Sequence, residues 1–73
     1  MSFIVRPTYS KNEYDNTIYP MTDWSRKEIA KLCDEHKLAY EKTLPLWGLY
    51  GLRFSKEDRL FLEKLIENTH WNI

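Results

Sequence analysis

Two side chains able to bind a metal or act as nucleophile and base lie three positions apart in the middle of the chain. Cys33 and His36 are close enough on one helix to ligate the same ion, and His70 would add a third ligand. Structural zinc sites use four ligands, in pairs with characteristic spacing. A buried thiol and a hydrogen-bonded histidine are common on the apolar side of a helix. We therefore expect a structural role for both residues, with no metal and no cofactor.

Nucleophilic catalysis would require an activated cysteine or serine, a base and a group that orients the base. His36 is the only base near Cys33 in sequence, and no glycine-rich turn accompanies the pair. Gly48 and Gly51 are the only glycines, so the sequence lacks a phosphate-binding loop. A small chain also leaves little room for a substrate pocket beside its core. We expect neither a catalytic residue nor a small-molecule substrate.

The segment from Lys27 to Leu44 resembles a helix-turn-helix motif, whose second helix enters the major groove of DNA. Residues 27–33 resemble the first helix, with Ala30 at the position where the helices cross, and residues 40–44 resemble the start of the second helix. The resemblance implies that a set of polar residues contacts nucleic acid: Arg26, Lys27 and Lys31 on phosphates, and Lys37, Tyr40, Lys42 and Thr43 on bases.

The first elements of the chain are predicted to be extended. Residues 3–5 and 17–19 are β-branched and aromatic, which favours strands. We expect two antiparallel strands near residues 2–9 and 14–19, joined by the polar residues 10–13. A lone hairpin is marginally stable in water, so its apolar face must pack on the rest of the chain.

A helix is predicted over residues 25–42. Ser25 and Glu28 have the spacing of a capping box, and Trp24 and Ile29 have that of a hydrophobic staple. The helix must end before Pro45. One face of it is predicted to be buried, made of Ile29, Leu32, Cys33, His36 and Tyr40.

A second helix is predicted over residues 55–68, because Ser55 and Asp58 repeat the capping pattern. The tail, residues 69–73, is expected to dock Trp71 on the core. The buried face of this helix is predicted to consist of Phe61, Leu62, Leu65 and Ile66. The fold class is therefore α+β, with an N-terminal two-stranded antiparallel hairpin packed on two main helices in one small domain.

The connector between the two helices, residues 43–54, is the most apolar part of the chain. Pro45 could open a short helical turn within it, and Gly51 could end that turn in a left-handed conformation. A contiguous exposed apolar patch marks an interface, although the same segment could equally serve as a lid on the core. The predicted protein-binding residues are Leu46, Trp47, Leu49 and Tyr50 in the connector, and Tyr9 and Tyr14 on the hairpin.

Composition narrows the classes of partner. Eleven basic residues balance eleven acidic residues in 73, which weakens nonspecific attraction to DNA. One cysteine, no apolar run of membrane length and no signal-like segment in residues 1–7 predict a cytoplasmic protein that does not enter a membrane. We expect a small non-catalytic protein-binding module, an inhibitor or adaptor of a larger assembly of the kind carried by phages and mobile elements. Its partner would be another protein or its own copy, as a homodimer, and DNA binding is the alternative.

Overall fold

A computed structural model describes residues 6–45, 48–69 and 71, and it has the predicted α+β class. Within these residues, one antiparallel sheet carries four strands, two more than the sequence predicted. Two helices of thirteen residues pack with it. The elements in chain order are β1 (Tyr9–Asn12), β2 (Thr17–Pro20), α1 (Asp23–Glu35), β3 (Glu41–Lys42), β4 (Leu52–Arg53) and α2 (Lys56–Asn68).

The predicted hairpin is present, but its turn lies later in the chain than expected. Residues 10–12 belong to β1, and the turn spans residues 13–16. The side-chain oxygen of Asn12 accepts the backbone N–H of Tyr14 at 3.0 Å, and Asn16 adopts a left-handed φ of 54°. Asparagine favours both conformations, which sets the turn at this place. The early part of the predicted first strand, residues 2–5, lies outside the described residues.

The strand order β1-β2-β4-β3 places β4 at the centre of the sheet beside β2. Ile18 pairs with Leu52, and Leu52 pairs with Lys42 on its other side. Directly paired residues share one face of an antiparallel sheet, so these three side chains lie on the face that meets the helices. Thr17 pairs with Arg53, and both belong to the opposite face.

Helix α1 begins at Asp23, two residues earlier than the sequence predicted. Thr22, not Ser25, is its N-cap, and the Thr22 hydroxyl oxygen accepts the backbone N–H of Ser25 at 3.0 Å. Ser25 is instead buried, where its Oγ accepts hydrogen bonds from the backbone N–H of Thr8 and the hydroxyl of Thr22, each at 2.8 Å. The Ser25 hydroxyl therefore ties the segment before β1 to the helix.

The predicted extent of this helix to residue 42 is wrong, because α1 ends at Glu35. Lys37 adopts a left-handed φ of 55°, its N–H donates to the carbonyl of Asp34, and the N–H of Leu38 donates to the carbonyl of Cys33 at 2.8 Å. These two bonds form a Schellman motif with lysine at the position usually held by glycine. Residues 41–42 then form β3, so a strand stands where the helix-turn-helix resemblance implied a second helix.

The core lies between the sheet and the helices. Helix α2 begins as predicted, with the Ser55 hydroxyl oxygen accepting the N–H of Asp58 at 3.3 Å. Trp71 docks as predicted: it is 7% exposed and its indole N–H donates to the carbonyl of Ile66 at 3.0 Å. His36 and Phe61 were expected in the core but are exposed. Among the residues that the structure describes, the buried core comprises Ile18, Ile29, Leu32, Cys33, Leu52, Phe54, Leu62, Ile66 and Trp71.

Candidate functional site

The connector divides into a core part and a surface part at Gly51. Leu52 and Phe54, which follow it, are buried in the core. Leu44 and Tyr50, which precede it, are 88% and 46% exposed, and Leu49 is half-buried. The connector residues after Gly51 thus cover the core, whereas those before it are part of the protein surface. Two of its predicted binding residues, Leu46 and Trp47, lie outside the described residues.

Gly51 has a different role from the predicted one. The left-handed glycine is Gly48, with a φ of 77°, and no helix is assigned between Pro45 and Gly51 in the part that the structure describes. A Cβ on Gly51 would lie 2.6 Å from Thr17 Cγ2 and 2.6 Å from Thr43 Oγ1. The missing side chain lets the connector approach the sheet, where the Gly51 N–H donates to Thr43 Oγ1 at 3.1 Å.

Leu49 joins the hairpin to form one groove, which we call the hairpin groove. It has a volume of about 520 Å³ and is lined by Tyr14, Tyr19 and Leu49 with polar residues of β1. Tyr19 follows Ile18 in β2, and successive residues of a strand point to opposite faces of the sheet. Tyr19, which pairs with Ser10, therefore lies on the sheet face opposite the helices. Tyr14 is 97% exposed at the turn. The fold thus brings together Leu49 and Tyr14, two of the predicted binding residues, with Tyr19 of the same hairpin.

Tyr9, the remaining predicted binding residue, belongs to the other face of the sheet. It is half-buried and packs against the core. Burial raises the pKa of its hydroxyl, and the nearby carboxylate of Glu63 raises it further. Tyr9 is therefore separated from the hairpin groove by the sheet, and it lines a different surface recess together with Leu60 and Glu63 of α2.

A second groove lies between α1 and the β3–β4 edge of the sheet, and we call it the cationic groove. It has a volume of about 480 Å³. Ala30 and Leu52 give it an apolar floor. Its remaining lining residues are Arg26, Lys27, Lys42, Tyr40 and Tyr50, so it contains three cations and no carboxylate among the described residues.

Arg26 and Tyr50 form the wall of the cationic groove. The guanidinium carbon of Arg26 lies 5.6 Å from the centre of the Tyr50 ring, within the range of a cation–π contact. Among the described residues, the ion pairs are Lys11–Glu13, Lys11–Glu63 and Arg59–Glu63, so no groove cation takes part in one.

The residues that the helix-turn-helix resemblance implied for DNA contact are divided by the fold. Arg26, Lys27, Tyr40 and Lys42 all line the cationic groove. Lys31, Lys37 and Thr43 are not among its lining residues. Four of the seven residues therefore lie together, but they surround a groove that also includes Tyr50 and do not lie along a recognition helix.

Cys33 and His36 lie in different surroundings. Cys33 is fully buried, and burial raises the pKa of its thiol to about 11, so the thiol is protonated at neutral pH. The His36 ring is exposed and makes an edge-to-face contact with Phe61, with ring centres 5.5 Å apart. His70 lies outside the described residues, and the described part of the chain has no group of three His, Cys, Asp or Glu side chains that could hold a metal ion.

Comparison with family models, with curated proteins and with solved structures gives no match to this chain. Neither helix of the described ranges is long and apolar enough to cross a lipid bilayer.

Proposed function

We propose that this protein is a small non-catalytic module that binds another protein in the cytoplasm. Binding uses the connector–hairpin surface, which we define as Tyr14, Tyr19, Leu44 and Leu49. The main support for the proposal is the exposure of Leu44 and Tyr14, which are 88% and 97% accessible to solvent. A chain this small needs most of its apolar side chains for its core, so two that are left outside it are available to a partner.

The chemistry of this surface is typical of protein interfaces. Tyrosine is enriched among the residues that dominate binding energy, because its ring buries a large area and its hydroxyl still forms hydrogen bonds. The groove between Tyr14, Tyr19 and Leu49 gives a partner side chain a place to insert. Leu44 adds an aliphatic side chain in the same connector, exposed at a cost in hydration that burial against a partner would remove.

The biological role that we propose is an inhibitor or adaptor of a larger assembly, of the kind that phages and mobile elements encode. A small module of this type acts by occupying a surface on its target. A second copy of the same chain is the competing occupant of the connector–hairpin surface, and the experiment below separates the two.

The test is affinity capture from the native host with three baits. The wild-type protein is compared with the double variant Tyr14→Ser, Leu44→Ser and with Leu60→Ser, a control that removes another exposed leucine, on α2. We expect one target protein to be recovered by the wild type and the control but reduced at least tenfold with the double variant. Equal recovery by all three baits would contradict the proposal. If light scattering gives the mass of a dimer for the wild type and of a monomer for the double variant, the surface binds a second copy of this chain instead.

A further inference from the structure

We infer that the cationic groove binds an acidic segment of the protein partner, in which aspartate or glutamate side chains alternate with apolar ones. The inference rests on the proposed function, which it deepens by naming the chemistry of the partner. Its basis is the juxtaposition of Arg26, Lys27 and Lys42 around an apolar floor.

The three cations come from separate parts of the chain and converge on one groove. Arg26 and Lys27 belong to α1, whereas Lys42 belongs to β3 and is carried to the helix-facing side of the sheet by its pairing with Leu52. None of them joins the ion pairs among the described residues. A groove with several such charges and no carboxylate in its described lining attracts an anion.

The apolar parts of the groove specify what should flank the carboxylate. Ala30 and Leu52 form the floor, and the rings of Tyr40 and Tyr50 form walls that accept aliphatic or aromatic side chains. A volume of about 480 Å³ accommodates a few residues of an extended peptide. These features favour a short acidic and apolar segment.

An extended nucleic acid fits the surroundings of the groove less well. Asp23 and Asp34 are exposed on α1, one turn before Arg26 and one turn after Ala30, so a phosphate chain that runs along the helix out of the groove would meet negative charge. A peptide with two or three carboxylates can end before it reaches them. The net charge of zero also provides no long-range attraction for a polyanion.

The test is an NMR titration of the full-length ¹⁵N-labelled protein with two blocked six-residue peptides. One peptide alternates aspartate and leucine, and the other has asparagine in place of each aspartate. We expect the aspartate peptide to shift the backbone amide signals of Arg26, Lys27, Ala30 and Lys42, with binding weakened at higher salt. We expect the asparagine peptide to bind at least tenfold more weakly.

Matched variants assign the binding to the groove. The double variant Lys27→Gln, Lys42→Gln should weaken the aspartate peptide about tenfold, because two partly screened charge pairs are lost. Lys31→Gln, which removes an exposed lysine of α1 outside the groove lining, should leave the affinity within twofold. The same spectra report whether each variant is folded.

Three outcomes would overturn the inference: equal affinity for the two peptides, no shift at these amides, or tighter binding of an eight-residue thymidine oligonucleotide, which would make the groove a nucleic-acid site. Failure of the titration together with target capture that still depends on Tyr14 and Leu44 would overturn this inference alone. The proposed function would then stand.

Discussion

The Nε of Arg59 in α2 donates a hydrogen bond to the side-chain oxygen of Asn16 at 3.0 Å and so joins the last helix to the hairpin turn. Arg59 is only 5% exposed, and its Nη1 lies 2.8 Å from the Glu63 carboxylate. Glu63 also pairs with Lys11 on β1 at 2.9 Å. This polar network fixes the hairpin, and with it the position of Tyr14, relative to the helices.

Replacing Arg59 with methionine should destabilise the fold. Arg59→Met keeps the apolar stem but leaves the Asn16 oxygen and one Glu63 oxygen without their donor, and such losses cost about 2–3 kcal/mol. Urea unfolding followed by circular dichroism measures the change. Lys56→Met is the control, since it removes an exposed cation of the same helix and should change the free energy of unfolding by less than about 0.5 kcal/mol. Equal effects would show that the network contributes little.

Replacing Lys37 with glycine should stabilise the fold. Lys37 holds the left-handed position of the Schellman motif, where a side chain is strained and glycine is not. We expect Lys37→Gly to raise the free energy of unfolding by about 0.5–1 kcal/mol, despite glycine's greater freedom in the unfolded chain. The comparison is Lys31→Gly in the interior of α1, which should lower it by about 1 kcal/mol. A loss of stability at both positions would contradict the observed helix end.

A methyl group at Gly51 should disturb the connector. In Gly51→Ala the new Cβ would approach Thr17, Thr43 and Tyr19 to within 2.7 Å, so we expect a loss of about 1–3 kcal/mol in unfolding free energy. Gly48→Asn provides the control: a Cβ there meets no atom of the described residues within 4 Å, its chain neighbours aside, and asparagine tolerates the left-handed φ. Thermal unfolding of both variants checks the difference, and a tolerated Gly51→Ala would show that the close approach is not required.

The thiol of Cys33 should contribute a distinct pH dependence. Burial raises its pKa from the usual 9.0 to about 11. Unfolding therefore releases a proton between these values, and the free energy of unfolding falls as the pH rises from about 9 to about 11. Wild type and Cys33→Ala are compared by urea unfolding across this range. The wild type should lose stability relative to Cys33→Ala as the pH rises. A difference that stays constant with pH would show that burial does not raise the pKa of the thiol.

Local patterns predicted α2 well because its signals are contained in its own sequence. Ser55 and Asp58 cap it where expected, and Leu62 and Ile66 are buried as their spacing implied. The start of α1 was misplaced because Thr22 and Ser25 are both competent caps, and the choice depends on a bond from the distant Thr8.

The candidate site was only partly predictable because long-range pairing builds it. Strands β3 and β4 have two residues each and carry no periodic signal, yet their pairing places Lys42 beside α1. The early end of α1 was hidden because a lysine stands where glycine usually marks a left-handed cap. The exposure of Tyr50 and Leu44 followed from apolar composition, whereas the separation of Tyr9 from Tyr14 required the register of the hairpin.

Site-specific photocrosslinking in the native host shows whether the connector–hairpin surface contacts another protein. The photoreactive amino acid p-benzoylphenylalanine is incorporated in place of Tyr14, of Leu44 and, as a control on the exposed side of α2, of Glu57. We expect one crosslinked target polypeptide at positions 14 and 44 and none at position 57. Absence of crosslinks at both surface positions, or the same products at all three, would contradict it.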